Sequence, residues 1–303
     1  MKEIPKLRLI TSVNIYSYLQ EPDILKKFIG KNFIQTLISS FQDYENLYLI
    51  TDYYEGNNLF FYKDDLLSEE QIKFIAANII QSFIYLRERN IIHRDISMKN
   101  LILNKDGYLN LLDFSYAIAY KNRRNYNYLI CKYPLDNAPE IKSRKNYEYN
   151  LDYYKLGANI IYYLLFKKYA NEIKEERNIT DLKLNYKDFK NVSYYRIDFL
   201  NKLIISNTKN RIGYNSINEL KNHKWFNGFN WNKLENKKIK SPLLFNIRKL
   251  KILNEKCSGF NFSDKIKIKF EIQQKKDYFK KLIKKYNQIN EKKIHQILDK
   301  YQA

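Results

Sequence analysis

The chain has 303 residues, 45% of them hydrophobic, enough to bury a core in one large domain or two small ones. Its 54 Lys and Arg against 33 Asp and Glu leave a net charge of +21, which attracts acidic partners without choosing among nucleic acid, anionic membrane and acidic protein. The longest apolar run, Leu156–Phe166, is too short to span a bilayer, the opening MKEIPKLRLITS lacks the apolar region of a secretory signal, and Cys131 and Cys257 make no disulfide framework or metal spacing. These features point to a reducing, cytosolic setting, with the nucleus left open. Tyr, Asn, Ile and Lys are heavily used while Gly numbers only 7, a pattern that AT-rich coding also produces, so the charge is not in itself a sign of a polyanionic partner.

Asn46–Tyr54 (NLYLITDYY) has the β-branched and aromatic content of a strand. Ser68–Asn90 reads as a strong helix: apolar residues at 72, 75, 79, 80, 83 and 86 recur at helical spacing, and Ser68 with Gln71 fits a capping box. Asn90–Leu103 (NIIHRDISMKNLIL) then sets His93, Arg94, Asp95, Lys99 and Asn100 between two apolar stretches. LILN and LNLL, joined by Lys105, Asp106 and Gly107, read as a hairpin with an Asp-Gly turn. A long polar, Tyr-rich loop follows Asp113, of a length that is usually functional or disordered. Helices resume near Asp152, no internal repeat is visible, and residues 263–303 are Lys-rich and separate in character.

On this frame a helix leads into His-Arg-Asp, a hairpin follows, and Asp113-Phe114-Ser115 closes it, so Asp95, Asn100 and Asp113 converge. One Asp can accept a proton from a hydroxyl while the other, with Asn, holds Mg²⁺ on phosphates, the parts that phosphoryl transfer requires. The order H-R-D-x-x-x-x-N then D-F resembles that of protein kinases. Ala138-Pro139-Glu140, Asp152–Gly157 (DYYKLG) and Arg211, which in that family pairs with the Glu of A-P-E, extend the resemblance over roughly residues 1–245. Within the family, Ser40–Leu59, Asn222–Leu234 and Lys238–Phe245 look like segments of the AGC group.

The resemblance implies an α+β, two-lobed fold with a truncated small β-lobe (1–54), a mainly helical large lobe (55–240) and a basic tail (241–303). It implies ATP-dependent phosphorylation of protein Ser or Thr, with ATP and Mg²⁺. Asp95 is then the base, Asn100 and Asp113 are the metal ligands, and Lys99 stands in for the usual Lys two residues after the base, where this chain has Ser97. Thr51 is the gatekeeper, Asp52, Tyr53 and Tyr54 form the hinge for adenine, and Ile102 belongs to the same nucleotide pocket. His93 and Phe114 pack in the spine with Leu25 and Leu37, Arg94 braces the long loop, and His223 and Trp225 are packing residues. Gln20–Ile34 matches the helix carrying the ion-pair Glu, here Glu21. Counting back from it makes Lys2 the phosphate-positioning lysine and places the Gly-rich loop and its strands outside this sequence.

Three departures qualify the expectation. Ser115 replaces a Gly that readily adopts φ > 0, biasing the turn away from an active form. Leu129, beside Tyr126 and Tyr128, falls where AGC kinases carry the phosphorylated Thr. Asn58, Lys99 and Tyr162 replace the acidic residues with which Arg-directed members of the group bind substrate, implying neutral or acidic sequences around the acceptor. Rival readings are a pseudokinase module with little turnover and a fragment of a longer kinase; weak Mg-ATP binding and slow turnover are expected for these residues by themselves. The tail, with 12 Lys and 5 acids from Asp264 to Ala303 and an apolar face at Phe279, Leu282, Ile283, Tyr286 and Ile289, is expected to form a basic amphipathic helix. Its expected contact is the kinase body, an acidic protein or an anionic membrane. No motif that reads nucleic acid accompanies the charge.

Overall fold

The structure, a computed structural model, describes residues 1–6, 15–62, 67–119, 138–142, 148–161, 164, 183–189 and 192–244. Its contacts divide the chain at Leu250 and Lys251, and the features below belong to the first unit. Tyr126, Tyr128, Leu129, Tyr162 and the expected tail helix lie outside the described residues.

Strands β1 (Lys2–Pro5), β2 (Leu37–Gln42) and β3 (Asn46–Thr51) form an antiparallel sheet in the order β1-β3-β2, with Lys2 opposite Leu49 and Leu37 opposite Thr51. Ile4, Leu37 and Leu49 are the buried positions of these strands, and they join a core that includes Ile24, Leu25 and Phe28. Helix α1 (Ile15–Lys26) carries Glu21 and stops earlier than the match to Ile34 implies. Beyond it Gly30 and Phe33 take positive φ, 77° and 66°, and the backbone is committed elsewhere. The Leu111 amide donates to the Phe33 carbonyl at 2.8 Å and the Gln35 amide to the Leu111 carbonyl at 2.9 Å. Those bonds tie the small sheet's connection to the strand that ends just before Asp113, and no helix can make them.

Helix α2 (Glu69–Glu88) begins at the reciprocal capping box expected from sequence: the Gln71 amide donates to Ser68 Oγ at 3.2 Å and the Ser68 amide to Gln71 Oε1 at 2.8 Å. Ile72, Ile75, Ile79, Ile80, Phe83 and Leu86 are all buried. Buried Asn78 donates to the Phe74 carbonyl and accepts from the Leu109 amide, fastening α2 to the hairpin. That hairpin, β6 (Leu101–Asn104) and β7 (Leu109–Leu111), is joined on its outer side by β4 (Gly56–Asn58), while β5 (Ile91–Ile92) pairs with β8 (Ile118–Ala119). Its connection is longer than a two-residue turn: Asn104 Oδ1 accepts the Asp106 and Tyr108 amides, and Gly107 takes φ 82°. A Cβ there would lie 2.4 Å from Ser241 Oγ, whose hydroxyl donates to the Gly107 carbonyl.

Among the described residues the remaining α-helices are α3 (Pro139–Lys142), α4 (Asn150–Leu156, continuing as a wider turn to Ile161), α5 (Tyr194–Leu203), α6 (Asn218–Lys221) and α7 (Trp231–Glu235). His223 and Trp225 are buried against Phe199, with ring centroids 5.0 and 5.4 Å away.

Candidate active site

The turn after β5 is held from the far side of the chain. Arg94 has φ 67°, a left-handed conformation that costs an L-residue roughly 1–2 kcal/mol. Asp152, buried in α4, offsets this by accepting the His93 and Arg94 amides at 2.8 Å each, one on each carboxylate oxygen. The Arg94 side chain donates through Nε to the Tyr116 carbonyl. His93 is fully buried, and burial lowers its pKa, so the ring is neutral. Its Nε2 faces the Leu112 carbonyl at 3.1 Å and its Nδ1 accepts the Asp95 amide at 3.3 Å, which assigns the proton to Nε2. His93 therefore props the turn and stacks edge-on against buried Phe114, with centroids 4.7 Å apart. Phe28 lies on Phe114's other contact at 5.6 Å, and Leu25 and Leu37 are buried in the same core.

Asp95 and Asn100 meet across this turn. Asn100 Nδ2 donates to Asp95 Oδ2 at 2.7 Å and to the Asp95 carbonyl at 2.9 Å. Spending the amide nitrogen on Asp95 leaves Asn100 Oδ1 as an acceptor, and Asp95 Oδ1 as the carboxylate oxygen not used by Asn100. The Leu112 amide donates to the Asn100 carbonyl at 2.8 Å, so this residue is anchored beside the end of β7. Lys99 is exposed, with its ammonium 5.4 Å over the Phe60 ring.

Asp113, Glu21 and Lys2 form a second cluster. Lys2 Nζ lies 2.9 and 2.8 Å from the two Glu21 oxygens and 2.9 Å from Asp113 Oδ1. Glu21 also accepts the Phe114 amide, which docks α1 on the turn. Burial presses the Lys2 pKa down, but the Glu21 and Asp113 carboxylates outweigh it and raise the value above the ordinary lysine range. Burial pushes Asp113 up, yet Lys2 and the Ser115 hydroxyl and amide hold it at about 2. The left-handed residue of this turn is Asp113 itself, with φ 59° and ψ 81°, and Ser115, in place of the Gly, is not among the residues with positive φ. An Asp tolerates that conformation because its carboxylate bonds its own backbone two residues on, here the Ser115 amide at 3.4 Å. Ser115 Oγ adds a bond to Asp113 Oδ1 at 2.7 Å.

Thr51 ends β3 and accepts a hydrogen bond from Gln35 Nε2 at 2.8 Å. The Asp52 amide donates to the Thr36 carbonyl at 3.2 Å, and its carboxylate accepts the Thr36 hydroxyl and, at 3.4 Å, the Tyr54 hydroxyl. Burial raises the Tyr54 pKa, keeping the phenol protonated, and its hydroxyl also reaches the Ile34 carbonyl at 3.2 Å. These bonds stiffen the segment leaving the small sheet. Ile102, in β6 beside Asn58, is half-buried.

The donor set suits a hard divalent ion delivered with phosphates. Among the described residues no group of three or more His, Cys, Asp or Glu is placed to hold a metal. Asp113 Oδ2 and Asn100 Oδ1 are oxygen donors that take no hydrogen bond from another described residue. Two protein oxygens, with water and phosphate completing the shell, is the usual way proteins hold Mg²⁺.

Two residues outside the expected site list prove structural to it. Asp152 stands far along the chain from the turn it fastens; its signal was the DYYKLG motif, which marks a buried helix without naming its bonding partner. Ser115 was legible only as a missing Gly, whereas the structure makes it a donor to Asp113.

The protein kinase domain family matches residues 1–226. A probable serine/threonine-protein kinase of Dictyostelium discoideum is 30% identical over 250 residues, covering 80% of this chain and 54% of the relative. Cyclic-AMP-dependent protein kinase catalytic subunit 3 of Drosophila melanogaster is 30% identical over 253 residues, with 80% and 41% covered. Cyclic-AMP-dependent protein kinase type 3 of Saccharomyces cerevisiae is 31% identical over 223 residues, with 71% and 54% covered. The chain spans about half the length of the curated relatives it matches.

Proposed function

This chain belongs to the protein kinase domain family and has its two-lobed α+β fold, and on that premise we propose that it transfers the terminal phosphoryl group of ATP to Ser or Thr hydroxyls of proteins. The observation that carries this reading is the Asn100–Asp95 clamp beside the Lys2–Glu21–Asp113 cluster. Asp95, oriented through Oδ2, accepts on Oδ1 the proton of the incoming hydroxyl as the hydroxyl's own oxygen bonds to phosphorus and the bond to the departing ADP breaks. Lys2, fixed by Glu21, positions the phosphates. Mg²⁺ held by Asp113 and Asn100 would neutralise phosphate charge. The hinge around Asp52 and Tyr54, with Thr51 and Ile102, takes the adenine.

Lys99 supports a finer reading of the substrate. It is an exposed cation in the same turn as Asp95, and Asn58, on the neighbouring strand, is neutral and accepts the Phe61 amide. A peptide rich in Arg gains no charge-assisted bond here and is repelled by Lys99, so neutral or acidic sequences around the acceptor are preferred. The Lys-rich residues 263–303 offer a contact for an acidic protein or anionic membrane.

The test is phosphate transfer to a degenerate peptide library by the wild type and Asp95→Asn. Wild-type transfer that falls about 10²–10⁴-fold in Asp95→Asn supports the reading. Transfer that survives the substitution removes Asp95 as the base, and Mg-ATP binding without any transfer makes the chain a nucleotide-binding pseudokinase. A strong preference for Arg before the acceptor overturns the substrate reading alone.

A further inference from the structure

The connection that leaves α1 turns one apolar side chain inward and the next one out. Phe28 is fully buried, with the Arg89 guanidinium 5.5 Å from the centre of its ring, whereas Ile29 is 64% exposed. The Lys31 amide closes the turn on the Phe28 carbonyl at 2.9 Å. Gly30 takes φ 77°, and a Cβ built there would meet nothing within 4 Å, so the turn stands out from the surface with Ile29 at its tip. Lysines flank the tip: Lys26 and Lys27 precede it, and Lys31 follows it with its ammonium 5.0 Å over the Tyr85 ring. The turn is fastened to two neighbours that extend the positive surface. Arg89 Nε donates to the Lys27 carbonyl at 2.6 Å, and Asn32 Nδ2 donates at 3.1 Å to the carbonyl of Glu235, in the segment that carries Lys233 and Lys238. Lys237 of that segment turns inward over Phe33 and Tyr108 instead. The acids of this surface are engaged: Asp23 pairs with Lys26, Glu88 pairs with Arg89, and Glu235 accepts the Tyr85 hydroxyl. Lys27, Lys31, Lys233 and Lys238 form no ion pair among the described residues.

We propose that this turn and the basic segment beside it form a docking surface for an anionic phospholipid membrane, with Ile29 entering the headgroup layer and Lys27, Lys31, Lys233 and Lys238 set against lipid phosphates. The net charge of the chain does not select this partner; the local arrangement does. An exposed aliphatic side chain on a protruding tip, among ammonium groups without acidic partners, combines apolar insertion with attraction to a negative surface. A protein partner of ordinary size buries about 800 Å² on each side around an apolar centre. Ile29 is the only large exposed hydrophobic among residues 26–32, 85–90 and 231–240, too little for such a centre. A single-stranded nucleic acid stacks its bases on exposed aromatic rings, and the rings nearest the tip, Phe28, Phe33 and Tyr85, are buried. None of these residues belongs to the Asp95–Asn100 clamp, the Lys2–Glu21–Asp113 cluster or the Lys-rich residues 263–303, so the inference stands apart from the proposed transfer reaction.

The test is flotation of the full chain with vesicles of phosphatidylcholine alone and of phosphatidylcholine mixed with phosphatidylserine. The wild type is expected to bind the mixed vesicles, less as salt rises, and to leave the neutral ones. Lys27→Gln and Lys31→Gln are each expected to weaken binding about fivefold. Ile29→Ser is expected to weaken it about tenfold, and Ile29→Leu to hold the wild-type affinity. Thermal melting checks that each variant is folded, and phosphate transfer to a soluble peptide should be the same in all of them. A wild type that ignores the mixed vesicles overturns the proposal. Wild-type affinity in both lysine variants and in Ile29→Ser also overturns it, by assigning the binding to another part of the chain. Losses in the lysine variants alone, with Ile29→Ser binding as the wild type does, make this a general polyanion surface and overturn the membrane reading; equal losses on a single-stranded RNA oligonucleotide would then identify nucleic acid as the competing partner.

Discussion

Two ion pairs in this chain use the same chemistry to opposite ends. Arg211 and Glu140 meet fork to fork, at 2.6 and 2.9 Å, with both side chains essentially inaccessible. Arg211 also donates to the Asn150 and Ile205 carbonyls and lies 4.9 Å over the Tyr154 ring. Lys2 instead divides one ammonium between Glu21 and Asp113, is a third exposed, and leaves Asp113 Oδ2 open. A pair that is dry and fully engaged can only hold elements together. A pair with an unfilled oxygen and access to water can still exchange partners, as the proposed phosphate-binding site must.

Cutting the dry pair should show the contrast most strongly. Arg211→Ala strands the Glu140 carboxylate in the core and is expected to cost about 3–5 kcal/mol in urea unfolding. Lys2→Met is expected to cost less, about 1–3 kcal/mol, because Glu21 can take up a proton and keep the Phe114 amide. The same change should weaken Mg-ATP binding, which Arg211→Ala in its folded fraction should not. Equal stability losses in the two variants would erase the distinction between them.

A third carboxylate sharpens the comparison because its hydrogen bonds come from neutral groups. Glu69 accepts the Ser193 amide and the Trp225 indole at 3.0 Å, together with the Ser193 hydroxyl. Burial pushes its pKa up, but these donors, the Ser193 hydroxyl foremost, and the nearby Arg196 charge hold it below the ordinary glutamate value. A depressed folded pKa means that the stabilisation is complete above the unfolded value and is lost as pH falls through the folded one. Wild type should exceed Glu69→Gln by about 1–2 kcal/mol at pH 7, and the gap should close below about pH 4. A gap that persists at pH 3 would assign the effect to packing. Ser68→Ala, which removes one neutral cap from α2, sets the floor at about 1 kcal/mol by the same measurement.

Much of the candidate site is legible in the sequence. The motif holding Asp95 and Asn100 is contiguous, and its flanking helix and hairpin follow from period and turn chemistry, as Ser68, Gln71 and the apolar positions of α2 show. Pairing Lys2 with Glu21 and Arg211 with Glu140 came from resemblance, not from any local pattern, and the structure places both pairs in contact. What only the tertiary structure decided is where each polar atom spends its bonds. It assigned Asp152 to the backbone of His93 and Arg94, set Asp113 in the left-handed region, and ended α1 where Phe33 and Gln35 turn to Leu111. The reason is physical. Burial periodicity is local and repeats along the chain, so it is written in the order of residues. The dihedral of a turn residue, and the choice of which carboxylate oxygen stays open, depend on donors brought in from distant segments and exist only once the core has closed.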